Sequence, residues 1–462
     1  MKQRYLTLPS LLLGTLLVSG CATQTSTLQY PDQQPQTLAK KWASPQDTSA
    51  QSFNQTTTLT SSLLTLFNDD ALAALVQKSQ TKNLLLLQQK HTSQALASEL
   101  LMADGALNPE LSTNLNSRRQ GVASDTSQSH ALTLDVSWEL DVWGKLASEQ
   151  DAAKNDYLSS TLTYQWLQDS IAAQTMQAYV DAVSQSKLVK LGEEKTNSFE
   201  KSLSVVRAQY QAGTAELDDL TLARQNLASA QGDIYISQLS MRTALRTLQL
   251  LVGEYPDAQD LVGTQLPNMM PAPNAELPAN TLSRRPDVQA SWYSLKSQYA
   301  SVSAAQAAKL PSINLTTQLG TSSNALKNIL SGDILWDLAA SIGYTLFDSG
   351  VLEAQISAQK SLSEASYFAY LQTVMTALNE VENALDTEQS YHQYEAAQRQ
   401  VVKQASLILV TAEQDYRDGL IDMTDWLSFK RSYFDEQSTL INTVNTRLQN
   451  RISLGLALGL GL

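Results

Sequence analysis

The fold of this chain is decided by the stretch Trp138-Glu139-Leu140-Asp141-Val142-Trp143-Gly144-Lys145, where an alternating pattern gives way to a long helical one. Its counterpart, 206 positions later, is Tyr344-Thr345-Leu346-Phe347-Asp348-Ser349-Gly350. The same offset relates Lys154 and Lys360, Tyr164 and Tyr370, Tyr210 and Tyr416, Gly213 and Gly419, Asp219 and Asp425, and Gly253 and Gly459. An unbroken offset over about 120 residues indicates a duplicated unit, so two similar halves are predicted.

The residues before this junction alternate as in a two-faced strand. The apolar positions are Leu132, Leu134, Val136, Trp138, Leu140 and Val142, and the polar ones are Thr133, Asp135, Ser137, Glu139 and Asp141. A weaker alternation over 111–115 predicts a partner strand, which places the first hairpin at about 109–142. In the second half, residues 313–319 and a run through Ile342, Tyr344 and Leu346 predict a hairpin at about 311–348. Each strand approaches the ~9–11 residues of a membrane-spanning strand, although a soluble hairpin packed on helices fits the alternation equally.

The prolines show where long helices can lie. Six of the 12 prolines fall between Pro256 and Pro286, which predicts a linker over 254–283. No proline interrupts 110–255 or follows Pro311, so both spans can hold very long helices. In the first span Leu220, Leu227, Ile234, Met241 and Leu248 are spaced seven apart. This seam is typical of a coiled coil and equally of a core stripe in a helical bundle.

The first 20 residues have the pattern of a secretory signal peptide. Lys2 and Arg4 precede an apolar run that ends at Leu17. The following Val18-Ser19-Gly20-Cys21 resembles a bacterial lipobox, which predicts that Cys21 becomes the lipidated first residue of the mature chain. Cys21 is also the only cysteine, so no disulfide within the chain is predicted.

Composition excludes several classes of function. The net charge of -13 argues against nucleic-acid binding, which needs clustered Lys and Arg. No run of 18 apolar residues follows the signal peptide, so no transmembrane helix is predicted. The three histidines, His91, His130 and His392, are far apart and have no ligand-like spacing. The sequence therefore predicts no enzyme, no cofactor and no metal site, and at this level a soluble periplasmic lipoprotein still fits.

The four predicted strands are too few to form a membrane barrel alone. The smallest such barrels have about eight strands, and open sheet edges are not viable in lipid. If these strands cross a membrane, several chains must therefore share one barrel.

The sequence resembles the TolC-like outer-membrane efflux channels, in the lipoprotein branch that includes OprM. The stretches that carry the resemblance are 138–145, 346–350, 285–288, 309–313, 416–419 and 426–437. It implies a mainly α fold with a transmembrane β part, in which a homotrimer supplies four strands per chain to one 12-stranded barrel. A long α-helical periplasmic tunnel is expected to continue the barrel.

The resemblance also implies the function and its location. The chain is expected to be the outer-membrane channel of a tripartite efflux system in a Gram-negative bacterium, lipid-anchored and extending into the periplasm. It would pass small toxic compounds or drugs from an inner-membrane pump and a periplasmic adaptor, and so contribute to antibiotic resistance. Export of metal ions or secreted polypeptides through the same tube, and a helical lipoprotein scaffold without a pore, remain alternatives.

The resemblance divides the mature chain into four parts. These are a lipidated segment and girdle at 21–58, a first repeat at 59–253, the linker, and a second repeat at 284–462. Many family members carry a longer C-terminal tail than this chain, so the girdle is expected to differ there.

The two helical hairpins are expected to turn at the periplasmic tip and meet the adaptor there. The tip residues are Ala212, Gly213, Thr214, Asp418, Gly419 and Leu420. Beside them, Asp219 and Asp425 match family positions that line the narrow entrance, and Asp218 and Asp422 lie close by. Carboxylates from three chains would repel one another and favour cations. Aspartates also suit the first turn of a helix, so that interpretation stays open.

Family members hold this entrance with an arginine. Here Ile421 stands at that position, so any ionic latch must be built differently.

Overall fold

The computed structural model describes residues 41–44, 63–67, 69–122, 125–259, 263, 265–273, 275 and 278–462. The predicted signal peptide, Cys21 and most of the predicted segment 21–58 lie outside these ranges. Among the described helices, none combines the length and the hydropathy that a membrane-crossing helix needs.

The described residues of the first half form four α-helices and two strands. After a 3₁₀ turn at Leu63–Leu66 these are α1 at Asp70–Lys82, α2 at Leu84–Ala106, β1 at Glu110–Val122, β2 at Asp125–Leu140, α3 at Lys145–Gln211 and α4 at Leu217–Leu251. Helix α3 is continuous over 67 residues, which is about 100 Å at ~1.5 Å per residue, as the absence of proline predicts.

The second half repeats this order. Its elements are α5 at Pro278–Arg284, α6 at Pro286–Ala307, β3 at Ser312–Ser323, a 3₁₀ helix at Leu326–Ser331, β4 at Asp333–Gly343, α7 at Val351–Arg417 and α8 at Met423–Ala457. Helices α3 and α7 both have 67 residues, and α4 and α8 both have 35. The predicted duplication is therefore present in the fold.

Paired glycines mark equivalent points of the two units. Positive φ angles occur at Gly144 and Gly350, at Gly213 and Gly419, and at Gly253 and Gly459, each pair 206 positions apart. This left-handed conformation strongly favours glycine, because it has no Cβ. The preserved glycines thus keep the same helix boundaries in both halves.

The four strands form one antiparallel sheet in the order β1-β2-β3-β4, with β1 and β4 as its edges. The pairing has no bulge: Leu134 on β2 lies between Thr113 and Leu319, and Leu319 also lies opposite Trp336. Residues that pair across neighbouring strands lie on the same face of the sheet, so the apolar positions of all four strands fall on one face and the polar positions on the other. The sheet therefore has one apolar face and one polar face.

The second hairpin is shorter than the alternation predicts. Strand β4 ends at Gly343, so Tyr344 and Leu346 lie beyond it and the prediction is wrong for these residues. The chain turns here because Asp348 accepts hydrogen bonds from the backbone N–H groups of Gly350, at 2.9 Å, and Leu352, at 2.7 Å. These bonds begin α7 and end the extended conformation.

The helices pack along the predicted seam. Helix α4 lies against α3, with Leu220 and Leu248 buried and the seam residues between them half-buried. A Cβ on Gly192 of α3 would lie only 3.3 Å from Ile234, so this glycine allows the two helices to approach closely. Helix α3 also contacts α2, α6 and α8, which makes it the central element of the helical part.

Candidate functional site at the helical tip

The predicted tip residues lie in two exposed turns. In the first, Gly213 has φ +77° and Thr214 donates its N–H to the carbonyl oxygen of Gln209 at 2.9 Å. In the second, Gly419 has φ +74° and Leu420 donates its N–H to the carbonyl oxygen of Asp415 at 2.8 Å. The six predicted tip residues are all exposed, namely Ala212, Gly213, Thr214, Asp418, Gly419 and Leu420.

An apolar cluster joins the two helical hairpins behind these turns. Its buried members include Phe199 and Val206 of α3, Leu220 of α4, Ala412 of α7, and Met423, Trp426 and Leu427 of α8. The two turns therefore belong to one packed tip.

Tyr416 links the second hairpin to the first. Its ring stacks on Trp426 with centroids 4.7 Å apart, and its hydroxyl donates to Gln209 Oε1 at 2.5 Å. Burial raises the pKa of Tyr416, and the charge of Asp219 raises it further. The predicted entrance residue of one hairpin thus lies near an aromatic pair of the other.

The four predicted entrance aspartates divide into two kinds. Asp219 accepts a hydrogen bond from the Glu216 N–H at 3.0 Å, and Asp422 accepts one from the Asp425 N–H at 2.9 Å. Both therefore cap the start of a helix, as their sequence position allows. Asp218 and Asp425 are exposed, and their carboxylates accept no hydrogen bond from the described residues.

Lys430 is an element of the tip that the sequence analysis missed. Only 7% of this residue is exposed, and its ammonium donates to Ser202 Oγ at 2.8 Å. The same ammonium lies 4.4 Å from the ring centroid of Trp426, and burial lowers the pKa of Lys430. Trp426 and Phe434 flank Lys430 at helical spacing, a sequence signal that places it on the buried face.

Some buried polar side-chain atoms of the helices lack a hydrogen-bond partner among the described residues. On the two helical hairpins these are Thr196 Oγ1 of α3, Asn226 Nδ2 of α4 and Trp426 Nε1 of α8. Each unsatisfied buried group costs roughly 1–3 kcal/mol. The unpaired indole N–H of Trp426 therefore makes the contact between the hairpins less stable than its apolar residues alone would make it.

A buried ion-pair network fixes α7 to α8 far from the tip. Arg451, 3% exposed, donates to Glu388 Oε1 at 2.5 Å and to the Met270 carbonyl oxygen at 2.5 Å. Arg447 joins Glu388 to Glu395 at 3.2 and 2.9 Å. Composition gives no signal for this network, because its members meet only through packing.

The apolar face of the sheet is exposed in the chain. On β4 the exposed fractions are 75% at Ile334, 77% at Trp336, 73% at Leu338 and 72% at Ile342. Eight residue steps separate Ile334 from Ile342, about 27 Å at ~3.4 Å per step. This length matches the ~25 Å apolar band of a membrane barrel.

The opposite face of the sheet carries hydrogen-bonded polar side chains. Asp135 accepts hydrogen bonds from Asn114 at 2.6 Å, Gln318 at 2.8 Å and Thr133 at 3.0 Å. In the part of the chain that the structure describes, no group of three or more His, Cys, Asp or Glu side chains is arranged to hold a metal ion.

This sheet, with long helical hairpins attached to it, defines the chain as the protomer of an outer-membrane channel. The profile of a family described as "Outer membrane efflux protein" matches residues 43–254 and 277–460. The chain therefore belongs to the outer membrane efflux protein family.

Individual proteins of known name and structure are similar to the chain. The toluene efflux pump outer membrane protein TtgC of Pseudomonas putida is 28% identical over 410 residues, which cover 86% of this chain and 84% of that protein. The cation efflux system protein CusC of Escherichia coli O6:H1 is 26% identical over 405 residues, 86% and 87% of the two chains. The crystal structure of a membrane protein from Pseudomonas aeruginosa superposes with a TM-score of 0.82 at 25% identity, covering 87% of this chain and 92% of that one.

These findings confirm the predicted family, the fold class, the outer-membrane location and the role as an efflux channel. The roles of the tip residues, the entrance aspartates and Cys21 stay predictions.

Proposed function

We propose that three copies of this chain form one channel, because the described sheet has two free edges and one exposed apolar face. Three sheets of four strands, joined β1 to β4, give 12 strands and leave no edge open to lipid. The apolar face then contacts the membrane and the polar face lines the pore. This sheet is the single observation that carries the proposal.

The helical hairpins extend the pore into the periplasm and end at the tip. The exposed turns at Gly213 and Gly419 are the surface for a periplasmic adaptor, which connects the channel to an inner-membrane pump. Energy for transport comes from the pump, and the channel itself is not an enzyme. Lipidation of Cys21 adds an anchor at the membrane.

The proposed cargo consists of small toxic organic compounds. Relatives at 28–29% identity are named for toluene or antibiotics, which favours this class. Metal ions are the second candidate, because CusC, at 26% identity, is named as a cation efflux protein.

The exposed carboxylates Asp218 and Asp425 are the charges that act at the closed entrance. Asp219 and Asp422 position them by capping the two helices. Six such carboxylates, two from each of three chains, would favour cations and restrict the opening through mutual repulsion and hydration.

Single-channel conductance of the purified protein in a planar bilayer tests this proposal. The variant is Asp218→Asn/Asp425→Asn, which removes charge while keeping the shape of each side chain. We expect a small cation-selective conductance in the parent protein and a loss of about half or more of that selectivity in the variant. The matched control is Asp70→Asn, an exposed aspartate on α1 far along the chain from the tip.

The outcomes separate the pore from its entrance. Equal selectivity in parent and variant would mean that residues other than Asp218 and Asp425 set the selectivity, while the channel itself would still be supported. If the folded protein showed no conductance, the channel itself would be contradicted. The alternative of a helical lipoprotein scaffold without a pore would then remain.

A further inference from the structure

Arg119 is the only Lys, Arg, Asp or Glu on the apolar face of the sheet, among the strand residues that the structure describes. The unbroken register puts Arg119 on the same face as Leu111 and Leu115 of β1. The adjacent Arg118 falls on the opposite, polar face. Both arginines are exposed, so they differ in the face of the sheet on which they lie and not in burial.

Arg119 lies beyond the apolar band, at the end of the sheet away from the helices. Strand β1 begins at Glu110, just after α2, and Leu115 is its last large apolar residue on this face. Four further residues place Arg119 about 14 Å past Leu115 at ~3.4 Å per residue. Because the helices are periplasmic, this level corresponds to the outer leaflet.

The surroundings of Arg119 on this face are polar. Gln128 is its partner across the β1–β2 pairing, and the next pair on the same face is Ser117 with His130. Ser117 Oγ and His130 Nδ1 are hydrogen-bonded at 2.8 Å. Arg119 therefore stands where a membrane face changes from hydrocarbon to headgroup.

The 3₁₀ helix between β3 and β4 adds a second cation at this end. Thr321, on the apolar face, donates its hydroxyl to the Ile329 carbonyl oxygen at 2.5 Å and so holds the segment to the sheet. In this segment Leu326 and Leu330 are 55% and 83% exposed, and Lys327 is exposed beside them. Exposed leucines next to a lysine suit the boundary between acyl chains and headgroups.

We propose that Arg119 binds a phosphate group of the lipid A headgroup in the outer leaflet. This inference rests on the proposed membrane orientation of the channel. A guanidinium binds phosphate in a bidentate manner, and an arginine on the lipid face costs only about 0–1 kcal/mol near the interface. No Asp or Glu lies on this face among the described strand residues, so the strands offer Arg119 no carboxylate on its own face and an anionic headgroup can pair with it.

Binding of lipid A to the purified full-length channel tests the proposal. Delipidated protein in a nonionic detergent is titrated with lipid A and followed by native mass spectrometry. The test variant is Arg119→Gln, and Arg118→Gln is the matched control, since it removes the same charge one residue away on the other face. We expect Arg119→Gln to weaken lipid A binding by about fivefold or more, the range of one charge-assisted pair, and Arg118→Gln to leave it unchanged.

Three results would overturn the inference. Equally weakened lipid A binding in both variants would indicate a general effect of charge. Unchanged lipid A binding in both would show that Arg119 does not contact the lipid. If phosphatidylglycerol competed as well as lipid A, the site would bind any lipid phosphate and would not be specific for lipid A. The conductance of Arg119→Gln is measured in parallel. Normal conductance together with weakened lipid A binding would show that the lipid contact and the pore function are independent.

Discussion

At the residue scale, Asp169 on α3 shows how packing changes the chemistry of one side chain. Burial raises its pKa to about 6, although it accepts a hydrogen bond from the backbone N–H of Leu462 at 3.1 Å. The two residues are 293 positions apart. No local pattern around Asp169 could have predicted this environment.

The raised pKa of Asp169 predicts a pH-dependent stability. Between about pH 4 and 6 the folded chain binds more protons at this carboxyl than the unfolded chain, so its stability falls as the pH rises through that window. Above it the ionised, part-buried carboxylate remains destabilising. We expect Asp169→Asn to raise the free energy of unfolding at pH 7.5 by roughly 1 kcal/mol, after allowance for solvent screening.

Thermal denaturation followed by circular dichroism at pH 4 and pH 7.5 measures this effect. The exposed Asp151 on the same helix provides the control variant Asp151→Asn, which should behave as the parent at both pH values. Parallel curves for Asp169→Asn and the parent across this range would contradict the prediction.

At the element scale, the contact between the two helical hairpins includes one buried cation. Lys430 of α8 donates to Ser202 of α3 without an ion-pair partner within 4.0 Å among the described residues. Ser202 also donates its hydroxyl to the Ser198 carbonyl oxygen at 3.0 Å, so it keeps a partner when the lysine is removed. The lowered pKa of Lys430 shows that its charged form is disfavoured there by burial.

Replacing Lys430 by methionine is therefore expected to stabilise the tip. Lys430→Met keeps an unbranched side chain against Trp426 and removes a desolvated charge, which should raise stability at pH 7.5 by about 1 kcal/mol. In the parent, stability should rise as the pH rises toward 10.5, because the unfolded chain then binds more protons at this lysine than the folded chain does. The variant should lack this rise.

The denaturation midpoint measured from pH 7.5 to pH 10 distinguishes the two proteins. Lys403→Met, at an exposed position of α7, controls for the loss of one positive charge. If Lys430→Met and Lys403→Met gave the same pH profile, the buried contact would have no special part in it.

At the scale of the whole molecule, the two faces of the sheet decide where the chain resides. Leu338 lies on the apolar face and the adjacent Ala339 on the polar face of β4. Arginine near the middle of the lipid face costs about 2–4 kcal/mol, and a trimer would carry this cost three times. We expect Leu338→Arg to reduce the folded channel in the outer membrane by about tenfold or more.

Immunoblots of outer-membrane fractions measure this loss. The control is Ala339→Arg, which places the same side chain on the pore side and should leave the amount of channel within about twofold. Equal amounts of the two variants in the membrane would contradict the assignment of the faces.

Local patterns predicted most of the elements correctly. The lack of proline predicts α3 and α7, and the glycine pairs predict the turns at Gly213 and Gly419. The predicted end of β4 was wrong. The alternation of apolar and polar residues continues past Gly343, but the hydrogen bonds that Asp348 accepts already begin the next helix. Two local preferences compete there, and the hydrogen bonds to the backbone prevail.

The sequence by itself determined the duplication, the long helices and the two-faced strands, since each follows from spacing between near neighbours. Only the tertiary structure showed that all four strands share one register, that Lys430 lies between the hairpins, and that Arg119 and Arg118 face opposite sides. It also showed that the carboxylates of Asp219 and Asp422 cap helices, while those of Asp218 and Asp425 accept no hydrogen bond from the described residues. These properties depend on residues far apart in sequence or on hydrogen-bond geometry, and packing brings them together only in the folded chain.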